Sequence, residues 1–195
     1  MSEQQNYFST QDGTSLFYRY RPAADGSTDK AIVLFHRGHE HSGRMMFVAN
    51  ELGFDDFAYF AWDARGHGHS PGERGDSPSI GTSVADVDDF IRHIQSEYGI
   101  KPENICVIAQ SVGAVLVSTW LHDYAPKIRC AVLASPAFKV KLYVPFARPG
   151  LKIMQKWRGN FFVNSYVKAH YLTHNKERQT SYDNDPRIAR AISVR

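Results

Sequence analysis

Four short runs of the chain are apolar almost without a break: Ala31–His36, Phe57–Asp63, Ile105–Gln110 and Ile128–Ser135. Runs of this length without polar alternation predict strands buried on both faces of a parallel sheet. Between them the period changes. Gly43–Leu52 predicts a helix, with Ser42 as its cap. Val84, Val87, Ile91, Ile94 and Tyr98 recur at helical spacing; Thr82 or Ser83 can cap that helix and Gly99 can end it. Val112–Leu121 predicts a third, apolar helix. Upstream, Tyr7–Thr10 and Ser15–Tyr20 flank Asp12-Gly13, the pattern of a short hairpin. Pro22–Asp29 and the Gly-, Pro- and Ser-rich stretch Ala64–Ile80 read as loops.

Strands that alternate with helices predict an α/β fold, a mostly parallel sheet with helices on both faces. Ligands bind such sheets at the carboxyl ends of the strands. Here those ends are His36–His41, Asp63–Ser70, Gln110–Gly113 and Ser135–Phe138. After Phe138 no buried strand is evident. Leu142, Tyr143, Phe146, Leu151, Trp157, Phe161, Phe162 and Tyr166 are scattered among polar residues, as in a cap of helices and loops. The chain divides into residues 1–138, a core holding six strands, and 139–195, a lid segment.

Composition narrows the partners. Of 195 residues 43% are hydrophobic and 22% charged, ordinary for a globular domain, and the net charge is only +3. No Lys/Arg cluster suggests a nucleic-acid partner. No segment reaches the roughly 18 apolar residues of a membrane-spanning helix. The first residues lack the basic and apolar parts of a secretory signal, so a cytoplasmic location is expected. Cys106 and Cys130 lie in apolar runs and are expected to be buried free thiols.

Candidate chemistry centres on Ala109-Gln110-Ser111-Val112-Gly113. It sits between a buried strand and an apolar helix, the setting of a G-x-S-x-G nucleophile elbow, with Ala in the first position. There Ser111 stands as the nucleophile; the alternative is that it only caps its helix. An acyl-transfer serine needs N–H donors for the oxyanion. One belongs to the residue after the nucleophile, Val112, and the other to the loop following the third strand.

That loop reads His36-Arg37-Gly38-His39-Glu40-His41-Ser42-Gly43-Arg44. It resembles the monoacylglycerol lipases and lysophospholipases grouped with serine aminopeptidase-like hydrolases. Asp63-Ala64-Arg65-Gly66-His67-Gly68-His69-Ser70 resembles a second loop of the same family. The resemblance implies an α/β-hydrolase fold and an ester hydrolase without a cofactor. Its substrate is a small acyl ester or mono-acyl lipid, with Gly38 as the second oxyanion donor. Asp63, Arg65 and His67 then serve the fold. Arg37 departs from the family's usual Gly; it either crowds the loop or reaches toward an acidic substrate group. Ester and amide substrates remain equally open.

Five histidines, His36, His39, His41, His67 and His69, gather on two strand ends, but no zinc-binding spacing is present, so no metal is expected. Triads on this fold run Ser, acid, His along the chain. The segment after the sixth strand, Ser135-Pro136-Ala137-Phe138, carries no carboxylate. Asp185 precedes Pro186 and reads as a helix cap. His170 and His174 both precede that segment, so neither reads as the base. Two alternatives follow. The chain is the first part of a hydrolase whose acid and base lie elsewhere, or it is a catalytically incomplete module that acts through interactions. The lid segment also resembles the hydrolase half of bacterial hydrolase–methyltransferase fusions, which implies a methyltransferase downstream in the parent protein.

Overall fold

A computed structural model describes residues 2–139, 147–164 and 167–194. The uninterrupted apolar runs form its central sheet. β1 (Gln4–Ser9) and β2 (Ser15–Arg21) form the hairpin around Gly13. β3 (Ala31–Phe35), β4 (Ala58–Trp62), β5 (Ile105–Gln110) and β6 (Cys130–Ala134) follow. The six lie in the order β1-β2-β4-β3-β5-β6. The first two strands run antiparallel and the other four are mutually parallel.

This order has one reversal. From β3 the chain crosses to β4 on one side through α1 (Ser42–Leu52). From β4 it returns past β3 to β5 through α2 (Ile80–Tyr98), and α3 (Val112–Tyr124) leads on to β6. Right-handed crossovers in opposite directions place their helices on opposite faces. The core divides accordingly. Ala31, Val33 and Phe35 of β3 pack with Val87, Phe90, Val117 and Trp120 of α2 and α3. Ile32 and Leu34, pointing the other way, pack with Met45, Met46 and Ala49 of α1. Burial on both faces is why these strands carry no polar alternation. The reversal opens a crevice between the carboxyl ends of β3 and β5, which are direct neighbours with Phe35 opposite Ala109.

Several expected boundaries shift. α1 includes Ser42, and its cap is His41, whose Nδ1 accepts the Gly43 N–H. α2 starts earlier than expected, at Ile80, because Ser79 accepts the Thr82 N–H. Gly99 ends it in the left-handed conformation, as expected. Beyond Phe138, α4 (Ala147–Arg158), α5 (Ala169–Leu172) and α6 (Lys176–Asn184) accompany two strands that the sequence did not disclose. β7 (Phe162–Asn164) and β8 (Ala191–Ser193) pair antiparallel in a small separate sheet. Three-residue strands hold too few positions to show a period. Of the aromatics expected in the lid, Tyr143, Phe146 and Tyr166, with Leu142, lie outside the described residues.

The cysteines also correct an expectation. Cys106 is half-buried and Cys130 is exposed, both as free thiols. Among the described residues β6 pairs only with β5, so its alternate residues face solvent. Val132 on this edge is 53% exposed. Open apolar strand edges invite pairing between chains. Sedimentation velocity is therefore expected to show concentration-dependent self-association of this chain, reduced by Val132→Lys. A wild-type chain that stays monomeric at high concentration would refute this.

Candidate active site

β5 ends at Gln110, and the chain turns at once into α3. At the turn Ser111 has φ 55° and ψ −114°. That backbone is costly for a non-glycine residue and persists only where the surroundings over-determine it. Three hydrogen bonds do so. Ser111 N–H donates to the Ala134 carbonyl at 2.9 Å, and the Ser111 carbonyl accepts from Val115 N–H (3.2 Å) and Ala137 N–H (3.3 Å). Ser111 is half-buried, and its hydroxyl makes no capping hydrogen bond. Helix caps lie in the extended region with the side chain turned onto the helix. Ser111 does neither, so the capping reading of this serine fails.

The small residues of the turn have a steric cause. A Cβ on Gly113 would lie 2.5 Å from the His36 carbonyl oxygen and 3.0 Å from that of Phe35. Only glycine lets α3 approach the end of β3 so closely. This approach also brings two distant segments together: a Cβ on Gly38 would lie 3.2 Å from a methyl of Val112. Gly38 and Val112 thus adjoin each other beside Ser111, at the crevice where the strand order reverses.

The loop holding Gly38 is pinned from below. His36 is buried; its Nε2 accepts the Ala64 N–H at 3.0 Å, so its proton is on Nδ1, donated to the Arg37 carbonyl at 2.7 Å. Burial pushes this imidazole below its usual range. Asp63, fully buried, accepts from Ser42 N–H (2.5 Å) and His69 N–H (2.7 Å), joining the two loops. Arg65 grips Asp86 through two nitrogens, at 2.6 and 2.7 Å, and also bonds Asp12, Thr10 and Thr14. His67 packs against His36 with ring centres 5.2 Å apart; loss of hydration and this neighbour push it well below the usual range. Among the described residues no three His, Cys, Asp or Glu side chains gather as a metal-ligand set.

Two residues behave differently from expectation. Arg37 places Nη2 on Glu40 Oε1 at 2.6 Å, an oxygen that Arg44 Nε also approaches at 3.3 Å. Asp185 opens no helix at Pro186. It follows α6, and its carboxylate accepts from His41 Nε2 at 2.8 Å and from Arg187 N–H at 3.0 Å. The local sequence resembles a cap; the partner lies 144 residues away and leaves no local trace.

No side chain among the described residues hydrogen-bonds the Ser111 hydroxyl. His36 and His41 each have both ring nitrogens engaged, and His93 is held by Tyr18. His122 stands at the far end of α3, about 16 Å along the axis from Ser111 at 1.5 Å per residue. His170 lies in α5 and His174 two residues beyond its end.

The sheet order, the reversal and the strand-to-helix turn define an α/β-hydrolase. Residues 26–195 match the serine aminopeptidase S33 hydrolases, and the chain belongs to that family. It is 60% identical over 97% of its length to the uncharacterized protein YnbC of Escherichia coli. It is 30% identical over 92% of its length to mouse monoglyceride lipase. It spans 32% of the former and 59% of the latter. A solved Paleococcus ferrophilus monoacylglycerol lipase is 26% identical and superposes with a TM-score of 0.70, covering 99% of this chain and 66% of its own. A monoglyceride lipase variant of Saccharomyces cerevisiae shares the fold, with a TM-score of 0.79 at 17% identity. No helix among the described residues is long and apolar enough to cross a membrane.

Proposed function

We propose that this chain carries the nucleophile and oxyanion hole of a serine hydrolase of carboxylic esters. Ser111 is the nucleophile. Its hydroxyl oxygen attacks the ester carbonyl, and the backbone N–H groups of Val112 and Gly38 receive the oxyanion. Each such donor is worth about 3 kcal/mol of transition-state stabilisation. No metal or organic cofactor takes part. One observation carries this reading: a strained serine backbone at a strand-to-helix turn, with Gly38 and Val112 adjoining it. At φ 55° and ψ −114° Ser111 lies outside the left-handed helical region as well as the ordinary ones, and its side chain caps nothing.

The substrate we propose is a mono-acyl lipid or similar small acyl ester. The monoglyceride lipases among the relatives support it. Residues 139–195 act as the lid over the site. The Ser111 proton needs a general base, and no described histidine hydrogen-bonds the Ser111 hydroxyl. A second reading rests on that same observation: the chain alone is a catalytically incomplete module acting through interactions.

A fluorophosphonate probe tests the proposal. Covalent labelling is expected on Ser111 and is abolished in Ser111→Ala. Hydrolysis of p-nitrophenyl butyrate then separates the two readings. Labelling with Ser111-dependent turnover supports the enzyme, whereas a chain that neither labels nor turns over supports the incomplete module. A chain labelled equally with and without Ser111 would sink the nucleophile assignment.

A further inference from the structure

We infer that Asp185 is a positioning residue, which through His41 and Arg187 clamps the loop carrying Gly38 in the conformation an oxyanion hole requires. The inference rests on the assignment of Gly38 as a donor. The clamp itself rests on geometry alone.

Asp185 and His41 are almost fully enclosed, with side chains 9% and 2% exposed. The Nδ1 of His41 accepts the Gly43 N–H at 3.2 Å, so the ring proton must sit on Nε2. That N–H donates to Asp185 Oδ2 at 2.8 Å. The carboxylate therefore selects the tautomer that caps α1, the helix leaving the loop. Asp185 Oδ1 accepts from the Arg187 backbone N–H (3.0 Å) and from its Nε (3.3 Å). Arg187 Nη1 then meets His69 Nε2 at 3.0 Å, in the second loop. Although burial alone would raise the Asp185 carboxyl, its hydrogen bonds from His41 and Arg187 hold it at about 2. It is ionised at any working pH.

A second strut runs parallel. Ala189 N–H donates to the His39 carbonyl at 3.0 Å. His39, next to Gly38, has φ 73°, a left-handed backbone that a non-glycine residue keeps only when held there. Segment 185–189 thus touches the loop on both sides of Glu40, through a side chain at His41 and through the backbone at His39. Further along, Arg44 Nη1 donates to the Ser181 hydroxyl at 3.1 Å. With a Gly38 Cβ position only 3.2 Å from Val112, a shift of the loop by a fraction of an ångström changes where the two N–H groups aim. Preorganised donors lose their effect when their aim is lost.

The test has two arms. In hydrogen–deuterium exchange, Asp185→Ala is expected to speed exchange of residues 36–44 at least tenfold, leaving β3, β5 and α3 unchanged. Asp185→Asn keeps an oxygen acceptor for His41 Nε2–H but turns an amide N–H2 toward the Arg187 donors, and is expected to restore part of the protection. No change in 36–44, acceleration spread across the core, or an asparagine variant as loose as alanine would each overturn the clamp. In the second arm, Asp185→Ala is expected to lower kcat on p-nitrophenyl butyrate at least tenfold with KM within twofold. Ser111-dependent turnover that stays intact in Asp185→Ala would overturn the positioning role. Wild-type protein without Ser111-dependent turnover would instead count against the hydrolase reading, and the exchange arm would still decide the clamp.

Discussion

Replacing Arg65 by methionine is expected to remove about 3–5 kcal/mol of folding stability at pH 8, the range for breaking a buried ion pair by deleting one partner. Arg65 and Asp86 have side chains 9% and 4% exposed, and two guanidinium nitrogens hold the carboxylate. Methionine fills similar volume but leaves a buried charge unanswered. The loss should depend on pH, with a definite sign. Burial pushes the Asp86 carboxyl above its usual range even with Arg65 present, and removing the cation pushes it further. A group whose folded pKa is raised contributes stability at low pH, and that contribution is lost as pH rises through the folded value. The deficit of the variant should therefore be smaller at pH 5 than at pH 8, because acidification favours the protonated Asp86. Urea unfolding at both pH values measures it. A deficit under about 1 kcal/mol at pH 8, or one that grows on acidification, would show that the pair does not carry this load. Arg65→Met combined with Asp86→Leu should recover part of the loss, because then no charge is stranded.

Gly113→Ala is expected to be the second severe change, costing about 3 kcal/mol, the upper end for forcing extra atoms into a packed site. The new methyl would meet two backbone oxygens, at 2.5 and 3.0 Å, and neither can rotate away. Either α3 retreats from β3 or the end of β3 moves. Both separate Ser111 and Val112 from Gly38, so fluorophosphonate labelling should fall together with the thermal midpoint. An alanine variant that melts and labels like wild type would mean that α3 and β3 do not approach as closely as this. The neighbouring Ala114 is fully buried yet tolerates its Cβ, because it faces the α2 side of the core instead.

Much of this architecture was legible in advance. β5 matched its expected bounds, and β3 and β4 fell within theirs; the last two are buried on both faces, where every residue must be apolar. The hairpin and the end of α2 were legible because a turn and a left-handed cap need particular residues at particular places. Of the first three helix starts only that of α3, at Val112, was legible. Ser42, Thr82 and Ser83 all look like caps; His41 and Ser79 do the capping, because the competition is settled by where the preceding loop is anchored. The exposure of Cys130 was illegible too. An apolar strand reads the same whether its outer face is covered or open, and only the sheet order shows that it lies on an edge.

The sequence by itself determined the alternation of strands and helices and which segments lie at the carboxyl ends of the sheet. Local periodicity and turn chemistry suffice for both, since each depends on neighbours within a few residues. It also marked Ser111, Val112 and Gly38 as candidates, through motifs on separate stretches of chain. Tertiary structure alone decided that Gly38 and Val112 adjoin, since that follows from β3 and β5 becoming sheet neighbours and from the absence of a Cβ at Gly113. It alone decided that His36 and His41 are occupied with pinning loops, and that Asp185 meets His41 across 144 residues. A polar side chain carries no sign of its partner until folding encloses it. Burial then makes an unpaired group costly, and the fold must supply that partner from wherever the chain returns.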